Sequence, residues 1–308
     1  MRQRRNGLKA IDLFAGIGGL RLSFERAGYE IVYSNDYDKH CCTTYRANFG
    51  EIDERDIRAV EADGIPDFDV LLAGFPCQPF SMIGKRNGLH DERGKMFFEI
   101  ARILAAKRPR AFLLENVRHL LKHDGGKTFE RIQQNLTWLG YKIFWKVLDS
   151  QNFGVAQHRE RLYIVGFADR DIEFKFPTGR RHARLADILE RHPDDIFYLS
   201  ERYYRGLLVH KRRHKQRGNG FGCEILNPEG AAHTVVAGNM GRERNLIRDV
   251  PTKKNRWGVR QLTTRECARL QGFPDSFEFP VPLSAVYTQL GNAVTVPVAK
   301  AIAHRMAQ

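Results

Sequence analysis

Residues 74–81 read GFPCQPFS, which sets Cys77 between Pro76 and Pro79. Proline locks its own φ, so the thiol sits in a constrained backbone that suits a nucleophile with a fixed line of attack. Glu115 and Asn116 close the apolar run of LLENV, and QHRERLYIVG (157–166) puts Arg159 and Arg161 on one face of an extended segment. Cysteine and glutamate without a suitably placed histidine are not a protease arrangement. They suit addition of a thiolate to an electron-poor ring that must be protonated as it is attacked. A free thiol is mostly protonated at neutral pH, so nearby positive charge is expected to activate Cys77.

The surrounding pattern predicts how these residues are held. KAIDLFAG (9–16), EIVYSN (30–35), DVLLAG (69–74) and AFLLEN (111–116) read as buried strands. GGLRLSFERAG (18–28), DYDKHCCTTYRANF (36–49) and KMFFEIARILAAKRP (95–109) carry helical spacing between them. The alternation predicts an α/β fold with a mostly parallel sheet covered on both faces. Cys77 and Glu115 then fall on the carboxyl rim, where open α/β sheets bind ligands. YKIFWKVLDS (141–150) and RLYIVGFA (161–168) read as an antiparallel hairpin at the sheet edge. Gly84, Gly88 and Gly94 in the 82–95 stretch, with four basic residues, read as either a lid over an anion or a plain surface loop.

In DLFAGIGGL (12–20), Gly16, Gly18 and Gly19 occupy a strand-to-helix turn. Glycines let a ligand approach the backbone, and the helix start offers free N–H groups. Arg21 stands where the dinucleotide fingerprint needs its next glycine. A nucleoside cofactor without a pyrophosphate, such as S-adenosylmethionine, fits at least as well, with Asp36 placed for ribose hydroxyls. A tight turn with no ligand is the plain alternative.

The 308 residues carry a formal charge of +14, and residues 175–260 hold nineteen Lys/Arg against nine Asp/Glu. A basic excess concentrated in one region points to nucleic acid. Five cysteines with no CxxC pair argue against a disulfide scaffold or structural zinc. The absence of a signal-peptide pattern and of an apolar run near ~18 residues implies a cytoplasmic protein with no membrane contact. From Lys175 helical periodicity fades, except at ARLADILERH (183–192), and returns at LTTRECARLQGF (262–273) and VTVPVAKAIAHRMA (294–307). The expected organisation is a catalytic domain over 1–174, a smaller inserted domain over 175–260, and 261–308 returning to the first.

The ordered blocks DLFAGIGGL, GFPCQPFS, ENV, QHRERLYIVG, RECARLQGFP and QLGNAVTVPV resemble the DNA cytosine-5 methyltransferase family in its bacterial restriction-modification form. The resemblance implies a Rossmann-like, S-adenosylmethionine-dependent catalytic domain and an inserted target-recognition domain. It gives Cys77 the attack on carbon 6 of a flipped-out cytosine and Glu115 the ring nitrogen 3 and amino group. Arg159 and Arg161 would position the base. The cofactor would be held by Asp12, Phe14, Gly16, Gly18, Gly19, Asp36, Asp56, Pro76, Asn292 and Val294, and released as S-adenosylhomocysteine. Asp36 stands where the family more often has glutamate.

DNA contacts are expected from Gln78, Ser81, Lys85, Arg86, Arg93, Thr234, Arg242, Arg244 and Asn245. Arg suits guanine and Asn suits adenine, although phosphate contact remains the commoner use of such residues. Double-stranded DNA is the implied partner, a restriction endonuclease of the same site a functional one, and no metal is called for. A monomer is expected. A tRNA cytosine-5 methyltransferase is the nearest rival, disfavoured by the large basic insert. A catalytically silent DNA-binding relative and a dinucleotide oxidoreductase are more distant ones.

Overall fold

The computed structural model describes residues 6–75, 95–219, 222–238, 242–251 and 256–308. The chain folds into two units: Met1–Asp149, Glu160–Thr178 and Val294–Gln308 form one, and Ser150–Arg159 with Gly179–Ala293 form the other. The first unit is built on β1 (Lys9–Leu13), β2 (Glu30–Asn35), β3 (Val70–Gly74), β4 (Ala111–Val117), β5 (Lys142–Asp149) and β6 (Glu160–Phe167). Their order across the sheet is β2-β1-β3-β4-β6-β5. β1, β2, β3 and β4 run parallel, while β6 runs antiparallel to both β4 and β5. The near-continuous apolar runs of β1, β3 and β4 follow from burial on both faces.

Helices α1 (Gly19–Glu25), α2 (Lys39–Phe49), α3 (Lys95–Lys107) and α4 (Lys127–Trp138) connect these strands or cover the sheet. In α3, Phe97, Ile100, Ile103 and Leu104 repeat at helical spacing and bury against Ile11, Leu71, Phe112 and Leu114. In α4, Phe129, Ile132 and Leu136 do the same. After β2 the chain steps back across β1 to form β3, so strand order reverses between β1 and β3. The loops leaving β1 and β3 therefore flank the switch point, where such sheets leave a crevice at their carboxyl ends.

The second unit contains α5 (Glu201–Gln216), the ribbon β7 (Leu246–Arg248) and β8 (Val259–Gln261), α6 (Thr264–Gln271) and α7 (Leu283–Asn292). Tyr204 and Leu207 of α5 pack on Leu199, Cys223, Leu246 and Val259. The fully buried Arg260 grips Glu266 through two bonds of 2.8 Å and Asp249 through a third. Glu266 also accepts the Thr263 N–H in a capping box, which ties the start of α6 to β8. The chain then re-enters the first unit as α8 (Val296–Met306), which packs along α1. There Ser23 donates to the Val296 carbonyl at 3.1 Å and Tyr29 to the Ala303 carbonyl at 3.2 Å.

Three expectations change. The inserted unit is larger than 175–260: it takes in 150–159 and extends to Ala293, so only α8 and the residues around it return. ARLADILERH forms a single 3₁₀ turn, Leu185–Ile188, with Leu185 as its buried residue. The longest helix of this unit, α5, follows instead over ERYYRGLLVHKRRHKQ, where two buried side chains are too few to mark a periodicity.

Candidate active site

Glu115 lies near the carboxyl end of β4, buried, with Gly74 of β3 on one side and Tyr163 of β6 on the other. Because β6 runs antiparallel, its first residues reach this same rim, and Arg161 stands opposite Val117. Arg161 and Glu115 are thus diagonal neighbours on one face. The guanidinium Nε lies 3.3 Å from the Glu115 carboxylate, and both side chains are largely shielded. Alternation turns Asn116 to the opposite face, where it is buried and donates to the Phe75 carbonyl at 3.0 Å. Phe75 is the last described residue before Cys77. Pro76, Cys77, Gln78, Ser81, Lys85, Arg86 and Arg93 lie outside the described residues.

The turn after β1 occupies the other side of the switch point. Phe14 adopts a left-handed φ of 54°, unusual for a residue with a side chain and a mark of local constraint. Asp36, just past β2, accepts the Gly16 N–H at 2.8 Å and the Asp38 N–H at 2.8 Å. Burial raises its pKa above the ordinary carboxylate range. Gly19 opens α1, and a Cβ there would stand 2.8 Å from the Val294 carbonyl oxygen, so only glycine allows this approach. Asp12 is fully buried: one oxygen accepts the Arg21 N–H at 3.2 Å, and the other has no hydrogen-bond partner among the described residues. Burial pushes its pKa up to about 8. Asp56 caps a 3₁₀ turn and pairs with Arg58 at 2.6 Å, which holds its carboxyl below the usual range.

Arg159, two residues before Arg161, belongs to the second unit and is buried there. Its guanidinium donates to the carbonyls of Val235 at 2.8 Å, Gly291 at 2.9 Å and Ala293 at 2.8 Å. Gln157 works beside it, accepting the Val235 N–H at 2.8 Å and donating to the Leu270 carbonyl at 2.9 Å. Thr234 donates to the His158 carbonyl at 2.6 Å. The segment 157–159 is therefore the frame on which Thr234 and Val235 hang. Gly291 completes it, since a Cβ there would fall 2.2 Å from the Ala237 nitrogen.

The expected contacts of this unit separate by burial. Arg244 is exposed, and Arg242 lies over the Tyr287 ring at 4.5 Å. Asn245, expected as a base reader, is buried, and its amide oxygen accepts the His233 N–H at 2.9 Å. Asn292 is exposed at the end of α7, in the second unit, whereas Val294 is buried in the first. Among the described residues no cluster of His, Cys, Asp or Glu could hold a metal, and no helix is long and apolar enough to cross a membrane.

The glycine turn, the ENV rim and the QxRxR segment were the signals the sequence offered. Asn116 and Gln157 were visible inside those motifs, but no role at the backbone could be read from them. Gly291 carried no signal beyond its place in QLGNA.

Residues 8–308 match the model of a family described as C-5 cytosine-specific DNA methylase. The type II methyltransferase M.DsaV of Dactylococcopsis salina is 44% identical over 303 residues, which cover 97% of this chain and 86% of that protein. M.NlaX of Neisseria lactamica is 45% identical over 302 residues, covering 97% and 96%. Among solved structures, the Dnmt2 methyltransferase of S. pombe is similar with a TM-score of 0.76 at 23% identity, covering 96% of each chain. At that identity the likeness concerns the fold.

Proposed function

The chain belongs to the C-5 cytosine-specific DNA methylases and is a DNA cytosine-5 methyltransferase of the restriction-modification type; on that premise we propose how its own residues carry the reaction. The observation that supports the reading best is the shielded Glu115–Arg161 pair on the carboxyl rim, with Asn116 anchoring the strand exit that leads to Cys77.

Cys77, as thiolate, adds to carbon 6 of cytosine, and electron density moves onto the ring. Glu115 holds nitrogen 3 and the amino group, so charge developing on the ring meets a proton and not open solvent. Arg161 keeps Glu115 turned toward the base and supplies positive charge beside it. Carbon 5 becomes nucleophilic and accepts a methyl group. Loss of the carbon 5 proton to a base then breaks the carbon 6–sulfur bond and returns the thiolate. A stacked base offers no path to carbon 6, so the cytosine must leave the helix. Gln78 and Ser81 fill or support the space it vacates.

The residues around the first turn fit S-adenosylmethionine. The carboxyls of Asp12, Asp36 and Asp56, the constrained Phe14 and the close Gly19–Val294 approach suit a nucleoside held by side-chain oxygens and backbone. Asp36 serves the ribose, Phe14 the adenine and Asp56 its amino group, with Gly16, Gly18, Pro76 and Val294 beside them; the family pattern adds Asn292. When bound, this cofactor supplies the electrophilic methyl group. The second unit carries target recognition, with Thr234, Arg242 and Arg244 as DNA contacts, and Lys85, Arg86 and Arg93 as further contacts. Arg159 is a positioning residue, acting through the backbone around Val235. The protein acts as a cytoplasmic monomer that protects DNA from a restriction endonuclease of matching site.

The test is covalent trapping on duplex DNA that contains 5-fluorocytosine. The parent enzyme forms a stable adduct, and Cys77→Ala forms none while still binding S-adenosylhomocysteine. An adduct that persists in Cys77→Ala would remove Cys77 from the role of nucleophile.

A further inference from the structure

Helix α5 presents a surface that no catalytic step uses. Arg202, Arg205, Lys211, Arg212, Arg213 and Lys215 are exposed along it, and Arg217 at its C-terminal cap, against the single acid Glu201. Glu201 is taken by Arg205 at 2.6 Å, and the Arg205 guanidinium lies 5.7 Å from the centroid of the Trp257 ring. Arg202, Arg212, Arg213, Lys215 and Arg217 make no ion pair with any described residue. Lys211 and Lys215, and Arg213 and Arg217, stand four residues apart, a spacing at which like charges destabilise a helix. The macrodipole offsets this only in the last turn.

The helix is not left to form by its own propensity. Ser200 caps its start, accepting the Tyr203 N–H at 3.2 Å, and Tyr204 and Leu207 seat it on the core shared with Leu246 and Val259. The cations therefore stand on a fixed platform, at the cost of mutual repulsion that a polyanion would relieve. Leu246 opens β7 directly after Arg242–Asn245, so the helix and the segment that carries Arg242 and Arg244 are tied to one small core.

We propose that the outward face of α5, formed by Arg202, Arg205, Arg212, Arg213 and Arg217, docks on the phosphate backbone of duplex DNA. It supplies sequence-independent affinity, separate from the choice of bases. The occupant follows from charge complementarity: a rigid helical row of cations matches a regular row of phosphates, and Arg pairs with phosphate in a fixed fork. The inference rests on the reading of this chain as a DNA methyltransferase only for the identity of the polyanion.

The experiment measures binding to a labelled duplex of arbitrary sequence across a salt series, for the parent and for the triple variant Arg212→Gln/Arg213→Gln/Arg217→Gln. Each phosphate contact removed lowers the slope of log affinity against log salt by about 0.9. The triple variant is expected to lose two to three such steps, and on the order of tenfold or more in affinity at low salt. An unchanged melting temperature assures that these exposed sites leave the fold intact. A control triple on the first unit, Arg131→Gln/Lys146→Gln/Arg305→Gln, removes the same charge and leaves the slope nearly where it was.

An unchanged slope in the α5 variant, or an equal drop in the control, overturns the proposal. So does a variant that loses affinity for duplex RNA and keeps it for DNA. Methyl transfer by the parent, read separately, tests the catalytic reading, so the two can fail independently.

Discussion

Asn116 donates its side-chain amide to the Phe75 carbonyl across 3.0 Å, so the residue beside Glu115 also fixes the chain two residues short of Cys77. The bond ties β4, which carries Glu115, to the exit of β3, the stretch that leads to the proposed nucleophile. Asn116→Ala strands a buried carbonyl, a loss of about 1–3 kcal/mol. If that loss loosens the approach of Cys77, kcat falls by roughly 10–100-fold. S-adenosylhomocysteine affinity, measured by calorimetry, is expected to hold. Asn116→Asp keeps the shape and loses the donor, so it should fall equally far; full activity in that variant would exclude the hydrogen bond as the cause.

Asp12 gives the stability of the first unit a pH dependence. Its folded pKa is raised by burial to about 8, well above the value an unfolded chain has. The native state therefore holds the proton longer than the unfolded state does. Stability from this group is complete below the unfolded value and is lost as pH climbs toward 8, by up to about 1.4 kcal/mol per pH unit. Melting temperatures from pH 5 to about pH 8 should fall in the parent and stay flatter in Asp12→Asn. Parallel curves would show that Asp12 is already ionised when folded.

Gly19→Ala places a methyl group 2.8 Å from the Val294 carbonyl oxygen, where backbone must give way on one side. Overpacking of this kind costs about 1–3 kcal/mol. The melting temperature should drop, and S-adenosylhomocysteine should bind several-fold more weakly, since the turn and the start of α8 move apart together. Unaltered affinity with lowered stability would take Val294 out of the cofactor site.

The parts of this site that could be read from the chain are those whose chemistry is local. A strand followed by ENV, a strand followed by PCQ, and alternating arginines in QxRxR each state a residue type and a place on the rim. Arg159 shows the limit: its spacing from Arg161 suggested a shared task, yet its three acceptors lie 76, 132 and 134 residues away in sequence. Asn245 reads as a base reader in the sequence because Asn suits adenine, whereas the structure buries it with its amide oxygen on the His233 N–H. Helix α5 leaves little trace in the sequence pattern because its stability comes from two buried side chains and a serine cap, with no amphipathic stripe long enough to register.

The second unit is not one continuous stretch: Ser150–Arg159 belongs to it as much as Gly179–Ala293 does. Gln157 and Arg159, the residues that fasten Val235 and the Gly291–Ala293 turn, sit in the shorter piece. A chimaera that exchanges only residues 175–260 with a relative would set the foreign segment around Val235, proposed to serve recognition, on a resident clamp. The natural unit of exchange is the pair of segments together, and altered DNA specificity would travel with both cuts or not at all.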